Sequence, residues 1–139
     1  MRTGRRRGSC GLALAGLLAA LPAVASDGPL RLELNKMEAV GTACRAFLVI
    51  RNETGTGLTS LDVDLVTFEP SGVIGSRFRV ELAPVPEDKT VVKSFDFEGV
   101  DCERIDRVLL NDVVRCDPLD AAACLALVDL STLTAEFFR

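Results

Sequence analysis

Histidine, tryptophan and tyrosine are all missing from the chain. Without an imidazole there is no Ser-His or Cys-His nucleophile system and no histidine metal ligand. Without Trp or Tyr, aromatic platforms for stacking on sugars are not expected. No C-x-x-C pair occurs, which removes the zinc and thioredoxin-like spacings. The longest apolar run, Cys10 to Leu21, falls short of the ~20 residues that span a bilayer. Internal repeats and low-complexity segments are absent as well.

What stands at the N-terminus reads as a secretory leader. Arg2, Arg5, Arg6 and Arg7 form a basic region, the apolar run follows, and Pro22 precedes Ala23-Val24-Ala25. That is an A-x-A cleavage site, expected to be cut after Ala25. No Phe-Leu-Lys-like stretch follows the arginines, which favours the general secretory route over the twin-arginine one. Cys10 stands ahead of the apolar run, so lipidation there is not expected. The leader takes four of the 16 basic residues and none of the 20 acidic ones, leaving 12 against 20, a net charge of −8. An acidic domain with scattered Lys and Arg has no electrostatic footprint for nucleic acid, and no membrane anchor is expected after cleavage.

The stretch Leu61–Leu82 is the clearest structural signal. Leu61, Val63 and Leu65 alternate with Asp62 and Asp64, and Phe78, Val80 and Leu82 alternate with Arg77, Arg79 and Glu81. A period of two marks strands with one wet and one buried face. Between them, Glu69-Pro70-Ser71-Gly72 is turn chemistry. A four-residue loop with Gly72 left-handed pairs Phe68 with Val73. The same count sets Asp64 against Arg77, Val63 against Phe78, Asp62 against Arg79 and Leu61 against Val80.

Other strands follow the same logic: Leu30–Lys36, then Cys44–Asn52 as a central strand, Thr90–Phe97, Ile105–Cys116 and Cys124–Leu133. Loops separate them at Glu53–Ser60, Pro84–Asp88, Glu98–Arg104 and Asp117–Ala123, the last with a helical turn capped by Asp120. About seven short strands with regular turn signals predict an immunoglobulin-like antiparallel β-sandwich over residues 26–139, stapled by disulfides.

The run Cys44–Phe97 resembles an FxLYD-type domain. It has a strand ending in Asn52, a Gly-rich loop, a strand ending in Phe68-Glu69, a turn with Gly72, and a Pro-containing loop before the next strand. Leu65, Thr67, Phe68 and Glu69 occupy the name-giving positions, in place of Phe, Leu, Tyr and Asp. The mature chain is also similar to small periplasmic proteins of Gram-negative bacteria. The resemblances imply a sandwich and bring no catalytic residue.

Several residue groups are candidates for chemistry. Asp62 and Asp64 share one strand face, but each has an arginine opposite in the expected register, which favours ion pairing over acid–base work. Asp96, Glu98, Asp101 and Glu103 are oxygen ligands of the kind Ca²⁺ prefers, at a spacing that matches no EF-hand. Asn52-Glu53-Thr54 is a glycosylation sequon in a chain whose leader looks bacterial. Phe47 and Val49, between Arg45 and Arg51, and Val66 and Phe68, opposite only Gly75 and Val73, form the apolar candidates for a partner surface. For Val66 and Phe68 the alternative is the docking place of Phe137-Phe138.

Cys44, Cys102, Cys116 and Cys124 allow three disulfide connectivities. In an up-and-down sandwich Cys44 and Cys102 fall at one end and Cys116 and Cys124 at the other, roughly 25 Å away for strands of about eight residues. A bridge needs Cα atoms about 4.4–6.8 Å apart, so Cys44–Cys102 and Cys116–Cys124 are predicted. Taken together, the residues predict a non-enzymatic periplasmic binding or accessory module acting by protein–protein contact, without cofactor, on an unidentified envelope protein. The alternative is a ligand- or metal-ion-sequestering protein using the acidic loop.

Overall fold

The computed structural model describes residues 28–139 together with Gly4, so the expected leader and its cleavage site lie outside the described residues. The elements are β1 (Leu30–Val40), β2 (Ala43–Asn52), β3 (Asp62–Phe68), β4 (Ile74–Glu81), β5 (Thr90–Phe97), β6 (Arg107–Arg115), α1 (Ala121–Leu127), β7 (Val128–Thr132) and β8 (Glu136–Phe138). They form two four-stranded sheets, in the orders β5-β2-β1-β7 and β4-β3-β6-β8.

The alternating pattern decides what faces inward. Leu30, Leu32 and Leu34 of β1 and Ala46, Leu48 and Ile50 of β2 are buried on one sheet. Val63 and Leu65 of β3 and Val108, Leu110 and Val113 of β6 are buried on the other. At the β4–β5 side the core is closed by aromatic contacts, with Phe97 4.9 Å from Phe78 and 5.1 Å from Phe95, ring centre to ring centre. β2 and β3 are interior strands of their sheets, which is why Asp64 and Thr67 are buried along with the apolar row.

The expected β-sandwich is present with eight strands against about seven, and its last third departs from the antiparallel pairing. Residues 124–127 belong to α1, because Asp120 caps the Ala-rich segment by accepting the Ala122 and Ala123 amides at 3.1 and 3.2 Å. Ala and Leu favour helix, and a short apolar run does not reveal its own period. Past the helix the chain crosses to the first sheet and runs parallel to β1 as β7. It then reverses and adds β8 parallel to β6. Each sheet therefore carries one parallel edge strand.

The hairpin register is also corrected. Gly72 is left-handed as expected (φ 82°), and its amide donates to the Glu69 carbonyl at 2.8 Å. The Glu69 amide donates to the Val73 carbonyl, which leaves a three-residue loop, Pro70–Gly72. Further down, Thr67 stands against both Gly75 and Ser76, a bulge in β4. Thr67 Oγ1 accepts the Ser76 amide at 3.0 Å, and a Cβ on residue 75 would lie 2.8 Å from that oxygen, so the bulge needs glycine. The net effect is a shift of two residues: Val63 pairs with Val80, Asp64 with Arg79 and Asp62 with Glu81. Beyond the bulge the even shift keeps each side chain on its expected face, whereas at the tip Ile74 takes the place opposite Phe68 expected for Val73.

Both predicted disulfides are present, at opposite ends. Cys44–Cys102 has a Cα separation of 4.9 Å and Cys116–Cys124 one of 6.4 Å. Their sequence separations are 58 and 8 residues. Removing the first by Cys44→Ala/Cys102→Ala should cost about 4 kcal/mol, and removing the second roughly 2–3 kcal/mol, under the chain-entropy account. Urea unfolding midpoints of the two double variants check this ordering.

Candidate functional site

On the outer face of the second sheet, Asp64 is 4% exposed and fully engaged. Arg77 donates to it twice, at 2.8 and 2.6 Å, and Asn111 Nδ2 once, at 2.6 Å. The Arg77 guanidinium holds its carboxyl below the usual carboxylate range, against the effect of burial. Arg77 thus reaches Asp64 diagonally, although Arg79 is the residue directly across.

Asp62 meets a carboxylate instead of the arginine expected. Glu81 Oε1 accepts the Leu61 and Ala83 amides at 2.9 and 2.7 Å, and Arg115 lies 3.3 Å from Asp62 and 3.4 Å from Glu81. Partial burial opposes ionisation of Glu81, but the Asp62 carboxyl, the two amides and Arg115 outweigh it and hold Glu81 at about 2. The neighbouring Glu81 carboxyl raises Asp62 above the usual carboxylate range, with burial adding to the effect. This pair closes the end of the β3–β4 ladder and lines no concavity among those of the described residues.

The proposed calcium ligands do not converge. Both Asp96 oxygens are taken by Arg45, at 2.7 and 3.0 Å, while Glu98, Asp101 and Glu103 point to solvent. Among the described residues no three acidic or cysteine side chains gather as a metal site would require. The sequon is likewise internal: Asn52 is completely buried, and its Nδ2 donates to the Thr56, Val85 and Pro86 carbonyls. Thr54 donates to Asn52 Oδ1 at 2.7 Å. The asparagine staples the Gly-rich loop to the β4–β5 loop and presents no amide for modification.

The four apolar candidates do not make one surface. Phe47 and Val49 are half-buried on the outer face of the first sheet, with Lys36 Nζ 5.3 Å from the Phe47 ring and Val92 opposite Val49. Val66 and Phe68 lie on the outer face of the other sheet. Val66 stands opposite Arg77 rather than Gly75 and is buried. The Phe68 ring is 6.0 Å from that of Phe138, and the Arg107 guanidinium covers both, at 5.1 and 5.7 Å. Phe137 enters the core. The C-terminal aromatics therefore dock internally.

What the sequence reading missed is the loop end that carries Cys44–Cys102. The β1–β2, β3–β4, β5–β6 and β7–β8 connections meet there. Among the described residues, four of the six large apolar side chains left exposed belong to these connections or their flanks: Val40, Val73, Ile74 and Leu133, the last three at 62, 63 and 72%. Strand register runs a row across the second sheet at this end, Ile74 to Phe68 to Arg107 to Glu136. Beside it opens a concavity of about 600 Å³ lined by Met37, Ile105, Thr134, the acidic Glu103, Asp106 and Glu136, and one cation, Arg107. The signal in the sequence is slight: two adjacent apolar residues after a turn glycine, and a lone Leu133 between Thr132 and Thr134.

Asp62→Asn should stabilise the protein at neutral pH. A carboxyl whose folded pKa is raised contributes stability while protonated and loses it as pH rises through that folded value. The amide restores this contribution, raising Tm by about 2 °C. The gain should vanish as pH falls below the unfolded value of about 4, where both proteins are uncharged at this position. Melting curves across pH read it out.

Comparison with protein-family models, with curated proteins and with solved structures finds no match for this chain.

Proposed function

We propose that the protein is a non-enzymatic periplasmic or secreted binding module that works through protein–protein contact at the loop end bearing Cys44–Cys102. The observation that carries the reading is the concentration of exposed large apolar side chains on that end's connections. Val73 and Ile74 at the β3–β4 tip and Leu133 at the β7–β8 turn all face water at this end, and apolar side chains gathered on one end of a domain mark a contact surface. Loops held on a rigid sandwich are where such scaffolds place their contacts.

Strand addition at a sheet edge is the less favoured mode. The edge strand β5 turns Lys93 inward, its Nζ donating to the Ala83 carbonyl at 3.4 Å, and β4 carries its bulge near the hairpin tip. Inward charge and bulges both discourage edge pairing. An oxidising compartment accords with two disulfides whose cysteines include the buried Cys44, Cys116 and Cys124. The basic and apolar leader accords with export by the same token.

A photo-crosslinking residue placed at Leu133 or Ile74 in the full chain, expressed in a Gram-negative host, should give a discrete adduct with an envelope protein. The same residue at Val114, exposed on β6 away from this end, should not. The variant Ile74→Asp/Leu133→Asp should keep the wild-type Tm within about 2 °C and lose co-purification of the adduct partner. No adduct at either position, or partner recovery unchanged in the double variant, would sink the reading.

A further inference from the structure

We infer that the loop end takes a basic polypeptide segment that also presents an apolar side chain; this partner chemistry rests on the reading of the protein as a contact module. Two separate features of that end specify it. The first is apolar: Leu133 projects from the β7–β8 turn, and Ala135 and Met37 line the neighbouring concavity. A volume of about 600 Å³ accommodates a large side chain with room for its flanking residues.

The second feature is charge. Glu98, Asp101, Glu103 and Glu136 have no ion-pair partner among the described residues, and Glu103 and Glu136 border the concavity. The cations nearby are already engaged: Lys36 with Glu38, Arg104 with Glu69, and Arg107, which lines the concavity, with Asp106 beside it and with the two phenylalanine rings. On the outer sheet faces, by contrast, Glu53, Asp64 and Asp96 are each neutralised in place by arginine.

These features exclude two kinds of partner. An acidic segment is repelled, and a purely apolar one desolvates carboxylates without compensating them. A segment with Lys or Arg flanking a Leu-sized side chain meets both requirements. Its cations feel the carboxylates across a Debye length of about 8 Å at physiological salt, which speeds encounter and sets orientation. Its apolar side chain then removes Leu133 and the concavity wall from water.

The test titrates the full chain into fluorescein-labelled dodecapeptides of alternating Lys and Leu, Lys and Ser, or Glu and Leu, with anisotropy as readout. The Lys/Leu peptide should bind, more weakly as sodium chloride rises, and the Glu/Leu peptide should not. Asp101→Lys/Glu103→Lys should weaken Lys/Leu binding by about tenfold, whereas Glu87→Lys/Asp112→Lys, the same change in net charge away from this end, should weaken it by less than about twofold. Leu133→Ser should weaken the Lys/Leu peptide and leave the Lys/Ser peptide unchanged. Circular dichroism melts confirm that each variant folds. Equal losses from the two charge reversals, or binding of the Glu/Leu peptide, would overturn the inference. Crosslinks at Leu133 with no Lys/Leu binding would overturn the partner chemistry and leave the contact module standing; loss of both would remove the module as well.

Discussion

Burial of two aliphatic faces against each other is the constraint on which everything else rests. Leu30, Leu32, Leu34, Leu48 and Ile50 on one sheet meet Val63, Leu65, Leu110 and Val113 on the other. Each such side chain contributes roughly 1.5–3 kcal/mol when withdrawn from water. With no Trp or Tyr, the aromatic part of this core is phenylalanine alone, Phe78, Phe95 and Phe97 at one side and Phe137 at the other. The two disulfides suit that limitation. Cys44–Cys102 ties the start of β2 to the β5–β6 connection, and Cys116–Cys124 ties the end of β6 to α1, so each end of the sandwich is closed covalently.

Charge is handled differently on faces and ends. On the outer faces carboxylates meet arginines across strands, and because these pairs are mostly solvent-exposed their worth is small, on the order of 0–1 kcal/mol. Asp64 is the partial exception, since it is buried and Arg77 and Asn111 satisfy it together. Asp62 and Glu81 are a consequence of the hairpin bulge, which brings two acids opposite each other and leaves Arg115 and the backbone amides to compensate. At the loop end no such pairing is built for four carboxylates, and there the exposed apolar side chains stand. A surface that leaves both its charge and its hydrophobic groups unsatisfied is the one suited to meeting another molecule.

Much of this was readable from residues alone. Alternation placed Leu61, Val63 and Leu65 inward, an up-and-down topology paired the four cysteines from Cys44 to Cys124, and Asp120 announced a helix start. These follow from local chemistry: a period of two, a side chain that caps, and a covalent distance limit, each independent of distant neighbours. Tertiary structure alone decided the rest. The three-residue loop and the bulge at Gly75-Ser76 each shifted the register by one, and alternation cannot detect the even sum because it leaves both faces unchanged. β7 and β8 pair in parallel with β1 and β6, segments far from them in the chain, and no local pattern specifies such a partner. Arg107 between Phe68 and Phe138, and the gathering of Val40, Val73, Ile74 and Leu133 at one end, arise from segments far apart in the chain. No local pattern encodes such proximity, since it exists only after the strands have packed.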